Sequence, residues 1–215
     1  MSETHTHIHT HTHTHAEHDH DQGREHEDAA GLSEEAREAA QEAERERIRR
    51  GALAQIRQYP DVALRMKARE VTEFDDLLAQ LVERMMTLMD DAQGVGLAAT
   101  QVGVVQRLFV FSPDEHGSFA VVNPRIVDPS VETATEAEGC LSLQGVRVPV
   151  ERATRITLAG VDPTGEEVRF ELEGLAARVA QHEYDHLDGV LIIDRTDAEH
   201  RREALGILRP QIVLR

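Results

Sequence analysis

The sequence predicts an α+β fold, with short antiparallel β-sheets packed around a central helix and another helix ahead of them in the chain. Three observations carry this. Apolar residues between Phe74 and Met89 repeat at spacings of three and four, as on one face of a helix. Four short runs rich in β-branched and aromatic residues follow. A second helical stretch, about Leu175 to Leu187, comes after them. Helix, strands, then helix is the order of an α+β domain rather than of a doubly wound parallel sheet.

A chain of 215 residues suffices for one well-buried domain and an appendage. Residues 1–50 hold 13 acids and 6 bases, leaving 27 and 17 for residues 51–215, within a formal charge of −17. An acidic surface repels phosphates, which argues against a general nucleic-acid binder and any direct DNA role. The last eighteen residues differ, with Arg201, Arg202, Arg209 and Arg215 against Glu199 and Glu203. A solvated helix face is the favoured reading there; a contact with an anionic partner such as ribosomal RNA is the other. One cysteine, Cys140, forms no internal disulfide, and no apolar stretch is long enough for a signal peptide or membrane span. The reducing cytoplasm is therefore the expected location.

Residues 1–31 are expected to be disordered, because almost no apolar residue is present to offset the entropy of ordering. Histidines at 5, 7, 9, 11, 13 and 15 would line one side of an extended chain and bind extra metal there; a plain polar tail is the rival reading. Ser33 to about Arg50 reads as a helix, N-capped by Ser33, with acids in its first turn and arginines near its end. It is polar nearly all round, so it is expected to project from the body. Residues 1–50 thus form an extension and 51–215 the globular domain. Thr72 and Asp75 suggest a capping box for a helix ending near Asp91, with Phe74, Leu77, Leu78, Leu81, Met85, Leu88 and Met89 buried. Strands are expected at 107–111, 119–122, 155–161 and 167–172, the last pair joined by a turn at Asp162-Pro163-Thr164-Gly165.

His182-Glu183-Tyr184-Asp185-His186 lies on the second helix. Histidines four apart share a face, so both rings reach one ion, and Glu183 meets a water activated there. Two ordinary surface histidines are the rival reading. A catalytic ion needs a third protein ligand. A third histidine six residues past His186 is excluded, because Ile192 stands there. Glu199 and Glu203 follow the apolar run 190–193, which reads as a strand leaving the helix. Cys140, in Glu138-Gly139-Cys140-Leu141-Ser142, is the remaining candidate, since a thiolate is an excellent ligand. Gly94-Val95-Gly96-Leu97-Ala98-Ala99 also fits a dinucleotide fingerprint, but it follows a helix and leads into strands, the wrong context.

GVGLAATQ (94–101), EGCLS (138–142) and QHEYDHLDG (181–189), in this order and approximate spacing, resemble the three signature motifs of bacterial-type peptide deformylases. The similarity covers about residues 51–215. It implies hydrolysis of the formyl group from formyl-methionyl nascent chains. It also implies one divalent ion on Cys140, His182 and His186, iron(II) foremost and zinc, nickel or cobalt as alternatives. By the same resemblance Glu183 is the general base, and the Gln101 side chain and Leu141 N–H stabilise the oxyanion. Gly96 and Val95 border the substrate, and Arg147 stands near its entrance. Leu175 and Val179 are candidate walls for the methionine side chain, core packing being the alternative for both. Glu138 is read as buried support and Asp185 as either a supporting acceptor or a solvated charge. Two departures stand out: Gln144 occupies the usual place of a proline, and the 50-residue extension lies outside the family domain. Three rivals remain: an HExxH peptidase with a downstream glutamate ligand, a His-rich metal-sequestering protein, and a silent ribosome-associated factor.

Overall fold

The computed structural model describes residues 33–114 and 117–209. The expectations for residues 1–31 and for Arg215 lie outside them. Two compact units divide the chain, Met1–Gln41 and Glu42–Arg215. Within the first, Ser33 caps helix α1 (Glu34–Leu53), its Oγ accepting from the Ala36 N–H at 3.3 Å. In the second, the same helix runs three residues past the expected Arg50, and its final Ala52 and Leu53 are buried.

Helix α2 is Asp76–Asp91, and its N-cap is Asp75, whose Oδ1 accepts from the Leu77 and Leu78 N–H groups. The Thr72 capping box is therefore corrected: Thr72 lies one turn too early. The buried stripe is Leu78, Val82, Met85, Leu88 and Met89, with Leu81 partly buried. Phe74 and Leu77 are exposed: Phe74 precedes the helix and Leu77 lies in its first turn, about 100° round from Leu78.

Seven strands follow: β1 (Gly96–Ala98), β2 (Leu108–Asp114), β3 (Gly117–Val127), β4 (Thr133–Gly139), β5 (Arg147–Ala153), β6 (Arg155–Val161) and β7 (Glu167–Glu173). They form an antiparallel five-stranded sheet, β1-β2-β3-β6-β7, and a separate β4-β5 pair. The β6–β7 turn is the expected one: Asp162 Oδ1 accepts from the Thr164 and Glu166 N–H groups. Leu108 and Val110 of β2 face α2, while Phe109 and Phe111 face the opposite side. Burial on both faces explains why 108–111 is apolar without alternation.

On that opposite side lies helix α3 (Gly174–Leu187), with Ala177, Val179, Ala180 and Leu187 in the core. Its other flank meets β4 and β5; Gln181, for example, bonds both the N–H and C=O of Ala153. The His-bearing helix is thus central, as the α+β reading requires. After it the chain turns into α4 (Ile192–Arg195) and α5 (Ala198–Ile207). This corrects the strand expected at 190–193. Leu191, Ile192 and Ile193 are buried against β5, and a short apolar run serves a buried helical turn as well as a strand. Among the described residues no helix is long and apolar enough to cross a membrane.

Candidate metal centre and substrate cavity

Helix α3 presents His182 and His186 one turn apart, their rings meeting edge to face with centroids 5.0 Å apart. Cys140, the residue after β4, places Sγ 3.3 Å from His186 Nε2. The three ligand atoms all lie within 4.8 Å of one another. An ion held tetrahedrally at typical bond lengths separates sulfur from nitrogen by about 3.6 Å, so the donor set fits a divalent cation with little movement. Glu199 and Glu203, the rival third ligands, are exposed on α5 and outside this group.

The two rings are held differently. His182 Nδ1 lies 3.0 Å from Glu138 Oε2. Burial pushes the Glu138 carboxyl up, but bonds from His182 and Arg152 outweigh it and hold it at about 2, so Glu138 is a carboxylate and the ring nitrogen donates. Burial likewise opposes charge on His182, yet Cys140 and Glu138 raise it well above the ordinary imidazole range. Burial and the neighbouring His182 push His186 well below that range. His186 Nδ1 is buried with no partner among the described residues.

Glu183 is buried, its Oε2 also without a partner, and burial raises its carboxyl to about 7. Glycine at 96 is a packing requirement: a Cβ there would stand 2.4 Å from Glu183 Oε1. Gln101 is buried in the 3₁₀ turn 99–102. Its Oε1 accepts from the Ala98 N–H at 2.8 Å, which turns Nε2 towards Ser142 Oγ (3.1 Å) and Cys140 Sγ (3.7 Å). The Leu141 C=O accepts from Gln58, and its N–H finds no acceptor among the described residues. Gln144, where the family's proline is absent, is exposed in a turn and disturbs none of these groups.

Above this floor opens a cavity of about 590 Å³, walled by Val95, Leu141, Arg147, Leu175 and Val179, among others, with Cys140, His182 and Glu183 at its base. Val95, Arg147, Leu175 and Val179, the residues expected near the substrate, thus line one cavity. Gly96 follows Val95 of the cavity wall and packs against Glu183. Val179 is both wall and core, being 7% exposed. Sequence reasoning missed Ser142, Arg152 and Arg178. Arg178 was findable, standing one turn before His182 on the same helix; Arg152 gave no signal.

Sulfur and imidazole donors, partly to fully buried, with a buried carboxylate beside them under an open apolar cavity, define the class: a metal-dependent hydrolase centre. The family model described as polypeptide deformylase matches residues 53–202. A peptide deformylase of Thermotoga sp. (strain RQ2) is 49% identical over 149 residues, covering 69% of this chain and 90% of that relative. Peptide deformylase 1 of Corynebacterium glutamicum is 44% identical over 161 residues, covering 74% and 95%. Among solved structures, the Thermotoga maritima peptide deformylase superposes with a TM-score of 0.64 at 49% identity, covering 66% of this chain and 96% of that one. The chain belongs to the peptide deformylase family.

Proposed function

We propose that this chain hydrolyses the formamide of formyl-methionyl nascent polypeptides, releasing formate and a free amino terminus. The observation that carries the reading is the convergence of Cys140, His182 and His186 beside Glu183 at the base of an apolar cavity. In this reading Cys140, His182 and His186 hold the ion, which we take to be iron(II), with zinc, nickel or cobalt able to replace it. When bound, such a cation supplies Lewis acidity, polarising the formyl oxygen and making water nucleophilic at neutral pH.

Glu183 takes a proton from the attacking water and later delivers it to the leaving amine. Its buried setting, which holds the carboxyl near neutrality, suits both duties. The tetrahedral intermediate carries an oxyanion. Gln101 Nε2 and the unengaged Leu141 N–H are the donors for it, and the Gln101 amide is already oriented by the Ala98 N–H. Gly96 offers backbone to the peptide, Val95, Leu175 and Val179 shelter the methionine side chain, and Arg147 stands at the rim. A Cys140 that must remain a thiolate accords with a reducing, cytoplasmic setting. Residues 51–215 are the catalytic domain, and residues 1–50 are not required.

The test is formate release from a formyl-Met peptide by anaerobically prepared protein, with metal content measured on the same sample. Cys140→Ser should lose both metal and activity; a variant that kept both would point instead to a peptidase with another third ligand. Removal of residues 1–50 should leave turnover intact, whereas a metal-sequestering protein would lose most of its bound metal.

A further inference from the structure

Behind the ligands lies a buried ionic network that the reaction itself does not use. Arg152 of β5 places Nε and Nη2 3.0 Å from the two Glu138 oxygens, a bidentate pair, and Nη1 2.5 Å from Asp185 Oδ2. All three residues are about 6% exposed. Neutralisation alone does not account for Arg152. Glu138 already has the buried Arg178 at 2.8 Å, and Asp185 has Arg195, whose Nε is 3.0 Å away. Arg178 also joins α3 to β4, through Glu138 and the Ala134 C=O; what Arg152 adds is a support from β5 that holds Glu138 and Asp185 to one another. Glu138 lies two residues before Cys140 at the end of β4, and Asp185 lies between His182 and His186 on α3. One rigid guanidinium therefore holds the end of β4, which leads into Cys140, against the imidazole-bearing helix, and aims Glu138 Oε2 at His182 Nδ1.

We propose that Arg152 is a positioning residue of the metal centre: by gripping Glu138 and Asp185 together it sets the separation between Cys140 and the two histidines, and it fixes the His182 ring in its Nδ1–H form. The inference rests on the ligand reading above. The asymmetry between the rings follows from it, since His182 is clamped by this network and His186 Nδ1 is not.

The test uses the full-length protein loaded with cobalt(II), whose thiolate charge-transfer band reports the Cys140 bond, with affinity measured by chelator competition. Arg152→Lys keeps the charge and removes the planar fork. Its apo-protein should melt close to the unaltered chain. Ion affinity should fall about 10–100-fold, the size of effect known for residues that orient metal ligands, with a displaced cobalt band and an unchanged KM. A folded Arg152→Lys with unaltered affinity and band would overturn the proposal. Should that variant not fold, the zinc-loaded unaltered protein carries the test. Nitrogen-detected NMR should find slowly exchanging protons on Arg152 Nε and His182 Nδ1, and rapid exchange at both would overturn it. Failure of the underlying reading is distinguishable, because Cys140→Ala would then bind cobalt as the unaltered chain does.

Discussion

The floor and the mouth of the cavity are built on opposite plans. At the floor, Gln101, Glu138, Glu183 and His186 are buried, and Gln101 and Glu138 each hold several bonds to different elements. At the mouth, Val95 is 49% exposed and Leu175 64%, and Arg147 rests on a single bond from Nη2 to the Ala137 C=O. The difference follows from what each part must do. Proton transfer and charge stabilisation need atoms held to a fraction of an ångström. Sheltering an unbranched apolar side chain needs contact area and little else. Changes at the floor should therefore act on kcat, and changes at the mouth on KM.

The largest effect should come from Glu183→Gln, which keeps the shape and removes the proton acceptor. We expect kcat to fall about 10²–10⁴-fold with bound metal unchanged, measured by formate release and metal analysis on one preparation. Turnover near that of the unaltered chain would remove Glu183 from the proton path and dissolve the contrast. Next is Gly96→Ala. The added methyl would sit 2.4 Å from Glu183 Oε1 and 2.8 Å from its Cγ and Cδ, so the carboxylate must shift by about 1 Å, a displacement worth about 10² in rate. Metal content should again be retained, and a kcat within twofold of the unaltered value would show that Glu183 has room to spare.

These floor residues were also the legible ones. His182 and His186 declare themselves by spacing, α2 by period, because burial against a neighbour imposes that period, and four strands by runs of β-branched and aromatic residues. The third ligand was weaker: elimination left Cys140, and only the family motifs joined it to the helix. What could not be read is what contributes little apolar pattern. Strand β4, Thr-Ala-Thr-Glu-Ala-Glu-Gly, buries only Glu138, and β5 hides its alternation behind Pro149 and Arg152. The two strands that brace the metal ligands were thus missed together with Arg152. The run Val190–Ile193 failed for the opposite reason, being uniformly apolar and so silent on helix against strand.

A smaller effect, on stability, should separate the floor by pH. Glu138 is held at about 2 in the folded chain against 4.5 ordinarily. A depressed carboxyl stabilises the fold fully above its unfolded value, so this contribution is complete above pH 4.5 and is lost progressively towards pH 2. Denaturant melts of the unaltered chain and Glu138→Gln should differ most above pH 4.5 and converge as pH falls through this window. A gap that stayed constant down to pH 2 would mean that the carboxylate charge does not brace the floor.

The smallest effect belongs to the mouth. Leu175 lies at the start of α3 with most of its side chain in water, so Leu175→Ala removes little buried area from the fold and should leave the melting temperature within a degree or two. The same side chain would be covered by a methionyl substrate, and losing part of that cover should raise KM about 3- to 10-fold, with kcat unchanged. Val179, one turn further on and buried, separates the two roles: Val179→Ala should raise KM comparably but also lower stability by about 1 kcal/mol, because it leaves a void in the core. Steady-state kinetics on a formyl-Met peptide, with thermal melts on the same samples, distinguish them. If Leu175→Ala instead lowered kcat with KM fixed, the mouth would be helping to set the geometry of the floor, and the division between the two regions would not hold.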